Sequence, residues 1–122
     1  MKILVVDDER DIQTLFEQRF RKEIKEKFLE FAFAFSGEEA LTYLSIPEHQ
    51  TVLILSDINM PGMSGFELLR HIKQKYTAPP PVVMMITAYG DAENFNKAKE
   101  LGADDFLTKP VDFNYLKEKF RQ

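Results

Sequence analysis

The sequence predicts an α/β fold: a five-stranded parallel sheet with helices on both faces. Short apolar, β-branched runs break off abruptly at polar residues, as strands buried on both faces do. Between them lie stretches whose apolar residues recur at spacings of three and four, the mark of amphipathic helices. The two kinds of segment alternate regularly, five of each, and such alternation favours a sheet covered on both sides.

Residues 3–6 form the first run and end in the acidic pair Asp7-Asp8. Ile12, Leu15, Phe16, Phe20 and Ile24 then mark one long amphipathic helix over about 11–27. Phe31, Phe33 and Phe35 alternate with Ala32 and Ala34, so a second strand follows and reaches Ser36-Gly37. Ser36-Gly37-Glu38-Glu39 is a capping box opening a helix with Ala40, Leu41 and Leu44, closed by Pro47. Residues 52–55 are the third strand, ending at Ser56-Asp57, and Pro61-Gly62 marks a turn. Ser64-Gly65-Phe66-Glu67 is a second capping box, opening a helix with Phe66, Leu69 and Ile72 on one side. After Pro79-Pro80-Pro81, residues 82–86 are the fourth strand, ending at Thr87. Asp91 caps a helix with Phe95, Ala98 and Leu101 inward, closed by Gly102. Residues 106–107 are a short fifth strand before Lys109-Pro110, and Asp112 caps a last helix bearing Phe113, Leu116 and Phe120.

Composition bounds the function classes. The 122 residues fit one domain, 1–122, and 44% hydrophobic content fills an ordinary core. A net charge of −4 argues against direct nucleic-acid binding, which draws on a basic patch. Without cysteine there is no disulfide, thiolate metal site or redox chemistry. The apolar start is too short for a signal peptide, and no segment approaches the roughly 20 apolar residues that span a bilayer. The expectation is a cytoplasmic protein that does not engage membranes.

Right-handed crossovers put the carboxyl ends of all the strands on one edge, where open α/β sheets bind ligands. Asp7-Asp8, Asp57, Thr87 and Lys109 therefore converge from four separate stretches. Three carboxylates held together are costly to ionise unless a cation joins them, and an all-oxygen site of few ligands suits Mg²⁺. A carboxylate so placed can act as a nucleophile toward a phosphoryl group, with a cation and a hydroxyl donor at hand.

Over essentially its whole length the chain resembles the receiver domains of two-component signalling, the chemotaxis-regulator-like response regulators. The matching segments are Ile3-Leu4-Val5-Val6-Asp7-Asp8-Glu9, Ser56-Asp57-Ile58-Asn59-Met60-Pro61-Gly62-Met63-Ser64-Gly65, Thr87-Ala88 and Gly102-Ala103-Asp104-Asp105-Phe106-Leu107-Thr108-Lys109-Pro110. The resemblance implies a flavodoxin-like doubly wound sheet in the order 2-1-3-4-5. It implies Asp57 as the phosphoacceptor, and Mg²⁺ held by Asp8, Asp57 and the main-chain carbonyl of Asn59, with Asp7 acting through a coordinated water. The donor would be a phosphohistidine of a histidine kinase or histidine phosphotransfer protein, and the domain would catalyse only its own phosphorylation and dephosphorylation. Thr87 and Lys109 would bind the new phosphoryl oxygens. Phe106 would turn inward, reshaping the face of the fourth helix, fifth strand and fifth helix for an output domain, a partner or a homodimer. The Lys109-Pro110 bond resembles one that is usually cis in the family.

Three features depart from the pattern. Phe106 lacks the hydroxyl of a tyrosine, the first helix is several residues longer than is usual in the family, and Tyr89 stands two residues after Thr87, where, like Asn59, it is a candidate to set the hydrolysis rate. Phe31, Phe33 and Phe35 read as core, and Met60, Met63, Met84 and Met85 as packing. His49 and His71 read as surface residues, Arg70, Lys73 and Lys75 as a solvated helix face, and Phe113 as core or partner surface.

A phosphatase of the haloacid dehalogenase type would need its nucleophile on the first strand and an acid two residues after it, where Asp57 has Asn59. A flavin or dinucleotide binder would need a phosphate-binding loop after the first strand, where Asp7-Asp8-Glu9 stands. A phosphorylation-independent interaction module would not need the intact acid, threonine and lysine set.

Overall fold

The structure is a computed structural model that describes residues 1–76, 80–88 and 90–121. Its five strands are β1 (Lys2–Val6), β2 (Glu30–Ala34), β3 (Thr51–Asp57), β4 (Val82–Thr87) and β5 (Asp105–Thr108). Six helical segments surround them: α1 (Asp11–Arg19), α2 (Arg21–Lys25), α3 (Gly37–Leu44), α4 (Gly65–Lys75), α5 (Ala92–Glu100) and α6 (Phe113–Phe120). All strand pairings are parallel, in the order β2-β1-β3-β4-β5. This is the flavodoxin-like doubly wound arrangement expected from the sequence.

Alternation along each strand sorts side chains between two cores. Leu4, Val6, Ile54, Val83 and Met85 face α3, α4 and α5. Ile3, Val5, Leu53, Leu55, Met84 and Ile86 face Phe16 and Phe20 of the first helical stretch and Leu116 and Phe120 of α6. Burial on both sides is why these strands read as continuous apolar runs.

The helix starts follow their side chains. Ser36 Oγ accepts the Glu39 N–H at 3.0 Å and Ser64 Oγ the Glu67 N–H at 3.2 Å. Asp91 and Asp112 cap α5 and α6 in the same way, accepting from Asn94 and Tyr115. Such caps satisfy amide groups that have no partner inside the helix.

Several expectations are corrected. The long first helix is two segments, broken at Phe20, whose φ of −111° and ψ of 22° leave the helical region. The ladder nearly continues, with Phe20 N–H bonded to Phe16 and Ile24 N–H to Phe20. The break lets the fully buried Phe20 ring meet Phe31, Phe113 and Phe120 at 5.2–5.8 Å. Phe35 lies beyond β2 as a half-buried ring under the Arg10 guanidinium at 4.5 Å. Phe95 is not inward but 47% exposed. His49 is half-buried between Tyr43 and Tyr76, its Nδ1 accepting the Thr51 N–H at 2.9 Å. Lys73 is not merely solvated, since its ammonium pairs with Asp104 at 3.0 Å. Tyr89 lies outside the described residues. Among those described, no helix is long and apolar enough to cross a membrane.

Candidate functional site

The strand order reverses between β1 and β3, because β1 has β2 on its other side while β3 continues to β4 and β5. Side chains at the carboxyl ends of β1 and β3 therefore line the crevice where such sheets bind ligands. Val6 pairs in register with Ser56, which brings Asp7-Asp8 beside Asp57. Asp57 in turn is level with Ile86 on β4, one residue before Thr87. Thr87 lies beside Thr108, and the Lys109 N–H bonds the Thr87 carbonyl at 2.8 Å. The Lys109-Pro110 peptide is cis.

The carboxylates of Asp7, Asp8 and Asp57 each offer an oxygen, and the three oxygens lie within 4.8 Å of one another. Asp7 and Asp57 are 5% and 6% exposed, while Asp8 stands in solvent. Lys109 Nζ lies 3.3 Å from Asp7 Oδ2 and 3.3 Å from Asp57 Oδ2. Asp7 is fixed from its other oxygen, which accepts the Glu9 N–H at 2.9 Å. Thr87 is fully buried, and its Oγ1 accepts from Asn59 Nδ2 at 3.3 Å.

Charge in this pocket is unbalanced. Burial, and then the neighbouring Asp7 carboxylate, push the Asp57 carboxyl above its ordinary range, against the pull of Lys109. Burial alone would lower the Lys109 ammonium, but Asp57 and Asp7 outweigh it and hold it above the usual lysine value. One ammonium faces two buried carboxylates, and Glu9 approaches it as well at 3.8 Å. Three convergent carboxylate oxygens with excess negative charge are the donor set of a hard divalent cation, and Mg²⁺ fits it.

Two contributors to this geometry were not singled out from the sequence. Glu9 reaches Lys109 from the loop after β1. Gly65 opens α4 directly under Asp57: a Cβ there would stand 2.2 Å from the Asp57 carbonyl oxygen and 2.7 Å from the Ile58 Cα. The signal for Gly65 was present, since a glycine inside a capping box invites a reason, but that reason is a backbone approach from another element.

The response regulator receiver domain model matches residues 3–121. The chain belongs to the response-regulator receiver family. Among curated proteins it is similar to response regulator protein PilR of Pseudomonas aeruginosa, 38% identical over 117 residues, which cover 96% of this chain and 24% of PilR. It is also 35% identical over 120 residues to the probable transcriptional regulator ycf27 of Cyanophora paradoxa, covering 98% of this chain and 46% of that one. The receiver chain thus spans a quarter to a half of these relatives. Among solved structures, Vibrio cholerae chemotaxis protein CheY4 superposes with a TM-score of 0.82 at 27% identity, covering 98% of this chain and 95% of that one. A receiver domain protein from Clostridium thermocellum gives 0.83 at 29%, covering 98% and 90%. The acidic cluster of Asp7, Asp8 and Asp57 thus stands in a chain of receiver-domain class.

Proposed function

We propose that this receiver takes a phosphoryl group onto Asp57 from a phosphohistidine of a histidine kinase or histidine phosphotransfer protein. The observation that carries the reading is the meeting of the Asp7, Asp8 and Asp57 carboxylates with the Lys109 ammonium at one sheet edge. A carboxylate oxygen of Asp57 attacks phosphorus, and the new O–P bond forms as the donor's N–P bond breaks. The imidazole nitrogen keeps the electron pair. Lys109, already within reach of Asp57, follows the charge onto a transferred oxygen, and Thr87 offers its O–H to another.

Asp7, Asp8, Asp57 and the Asn59 carbonyl are the residues that would hold Mg²⁺, which supplies positive charge to the phosphoryl oxygens. Beside Asp7 and Lys109 opens a cavity of about 450 Å³ between α1 and the start of α6, with Ile12, Leu15, Pro110 and Phe113 in its wall. An apolar seat next to the acid cluster suits a helix that delivers a histidine.

After transfer, Thr87 moves toward the phosphoryl group and Phe106 turns into the space it leaves. The output surface is then the α5-β5-α6 face, the fourth helix, fifth strand and fifth helix of the sequence reading. It serves an output domain, a partner protein or a second copy, in the cytoplasm and without direct nucleic-acid contact by this domain. The two states must differ by only a few kcal/mol for one covalent group to reverse them.

Acetyl phosphate with Mg²⁺, followed by intact mass measurement, tests the assignment. One added phosphoryl group is expected, lost in Asp57→Asn and in the presence of EDTA. Modification mapped to another residue overturns it.

A further inference from the structure

α5 is the least anchored helix on its side of the sheet. Ala98 is its one buried residue, against five in α4 and three in α3. Phe95, one turn earlier, is 47% exposed and meets Phe106 edge-on, with ring centroids 5.5 Å apart at 81°. Between helix and strand lies a cavity of about 230 Å³ whose wall includes Phe95, Ala98, Ala103 and Phe106. Phe106 therefore has a ring on one side and room beside small residues on another. Its neighbour in register on β4 is Met85, two residues before Thr87.

We propose that Phe95 is a positioning residue for the switch: its edge-on contact holds the Phe106 ring in the resting orientation, and Phe106 leaves that contact when Asp57 is phosphorylated. The inference rests on the phosphoacceptor reading and adds the element that sets its threshold. An edge-to-face pair changes a two-state equilibrium by about three- to tenfold. That is the scale at which a switch can be biased without being locked. The helix does not depend on Phe95 for its place. The Lys97 ammonium lies 4.8 Å from the Phe66 ring centroid on α4, and the Ala98 carbonyl accepts the Ala103 N–H. Removing Phe95 should thus release the ring rather than the helix.

The test is a beryllofluoride titration with Mg²⁺, followed by NMR, of the full chain and of Phe95→Ala, Phe95→Tyr, Phe106→Ala and the double alanine variant. Phe95→Ala should bind beryllofluoride about three- to tenfold tighter, because the binding-competent state is more populated. Phe95→Tyr should match the parent, and in the Phe106→Ala background Phe95→Ala should change nothing. Equal affinities, weaker binding, or tightening that persists without the Phe106 ring overturns the proposal. A second arm reads the Phe106 side-chain rotamer in the unphosphorylated protein: one in the parent and two in Phe95→Ala supports it, and an unchanged rotamer overturns it. A parent protein that takes up no beryllofluoride counts against Asp57 as acceptor, and the rotamer arm then decides the role of Phe95.

Discussion

On one side of the sheet, Phe16, Phe20, Phe31, Phe33, Phe113 and Phe120 pack mostly edge-on or tilted at centroid distances of 5.2–6.4 Å, tying α1, α6 and β2 into a single aromatic block. On the other, α4 is sunk by five residues, while α5 rests on Ala98 and on a half-exposed ring. Both sides border the same acid cluster. The side behind Asp7 is filled by interlocking rings, whereas the side facing Thr87 and Phe106 is lightly packed, and in the proposed switch it is that second side on which two arrangements compete. A site that must both hold a fixed charge geometry and report a covalent change needs both kinds of wall.

The contrast breaks first at Phe20. Phe20→Ala removes a fully buried ring from the aromatic block and should cost about 3–5 kcal/mol in urea unfolding followed by circular dichroism. A loss below about 1 kcal/mol would show that the block is not the rigid wall described.

Gly65→Ala comes next, because it presses on the junction between the walls. The added Cβ would stand 2.2 Å from the Asp57 carbonyl oxygen, so the end of β3 and the start of α4 must move apart. About 1–3 kcal/mol of stability should go, together with most phosphoryl uptake from acetyl phosphate, measured by intact mass. Uptake at the parental rate would mean that Asp57 does not need its present position.

Asp57→Asn is smaller and of opposite sign. Burial and Asp7 raise the Asp57 carboxyl above the ordinary aspartate range, so the folded chain holds that proton more tightly than the unfolded one. The stability from this source is complete below the unfolded value and is lost as pH rises through the folded one. At neutral pH and without Mg²⁺ the ionised carboxylate is a burden, and Asp57→Asn should gain about 1 kcal/mol. The gain should shrink as the pH of the unfolding experiment is lowered into the acid range. A variant less stable than the parent at pH 7 would mean that the Lys109 pair outweighs burial and Asp7 together.

Phe95→Ala should change unfolding stability least, by less than about 1 kcal/mol. A loss as large as that of Phe20→Ala would erase the difference between the two walls.

Much of this was legible along the chain. Each strand was placed to within a few residues, because burial on both faces leaves apolar runs with abrupt ends, and the four N-terminal caps stood in the sequence as Ser36, Ser64, Asp91 and Asp112. The acid cluster was legible because a parallel sheet sends every strand end to one edge. The break at Phe20 was not, since helical spacing continues straight through it, and the ring's partners come from β2 and α6. Phe95 misled for the same reason: spacing gives a residue's face on its helix but not how deeply that helix is set. His49 and Lys73 read as ordinary surface groups because their partners, the Thr51 amide and Asp104, are known only once the loops and helices are placed.

The sequence by itself determined the order of elements, the parallel sheet and the identity of the groups at its carboxyl edge, because these follow from local periodicity and chain connectivity. Only the tertiary structure decided that Asp7 and Asp57 are buried and share one ammonium, that Gly65 must lack a side chain, and that α5 sits lightly against Phe106. Those are distances between residues far apart along the chain, fixed by packing that no local pattern records.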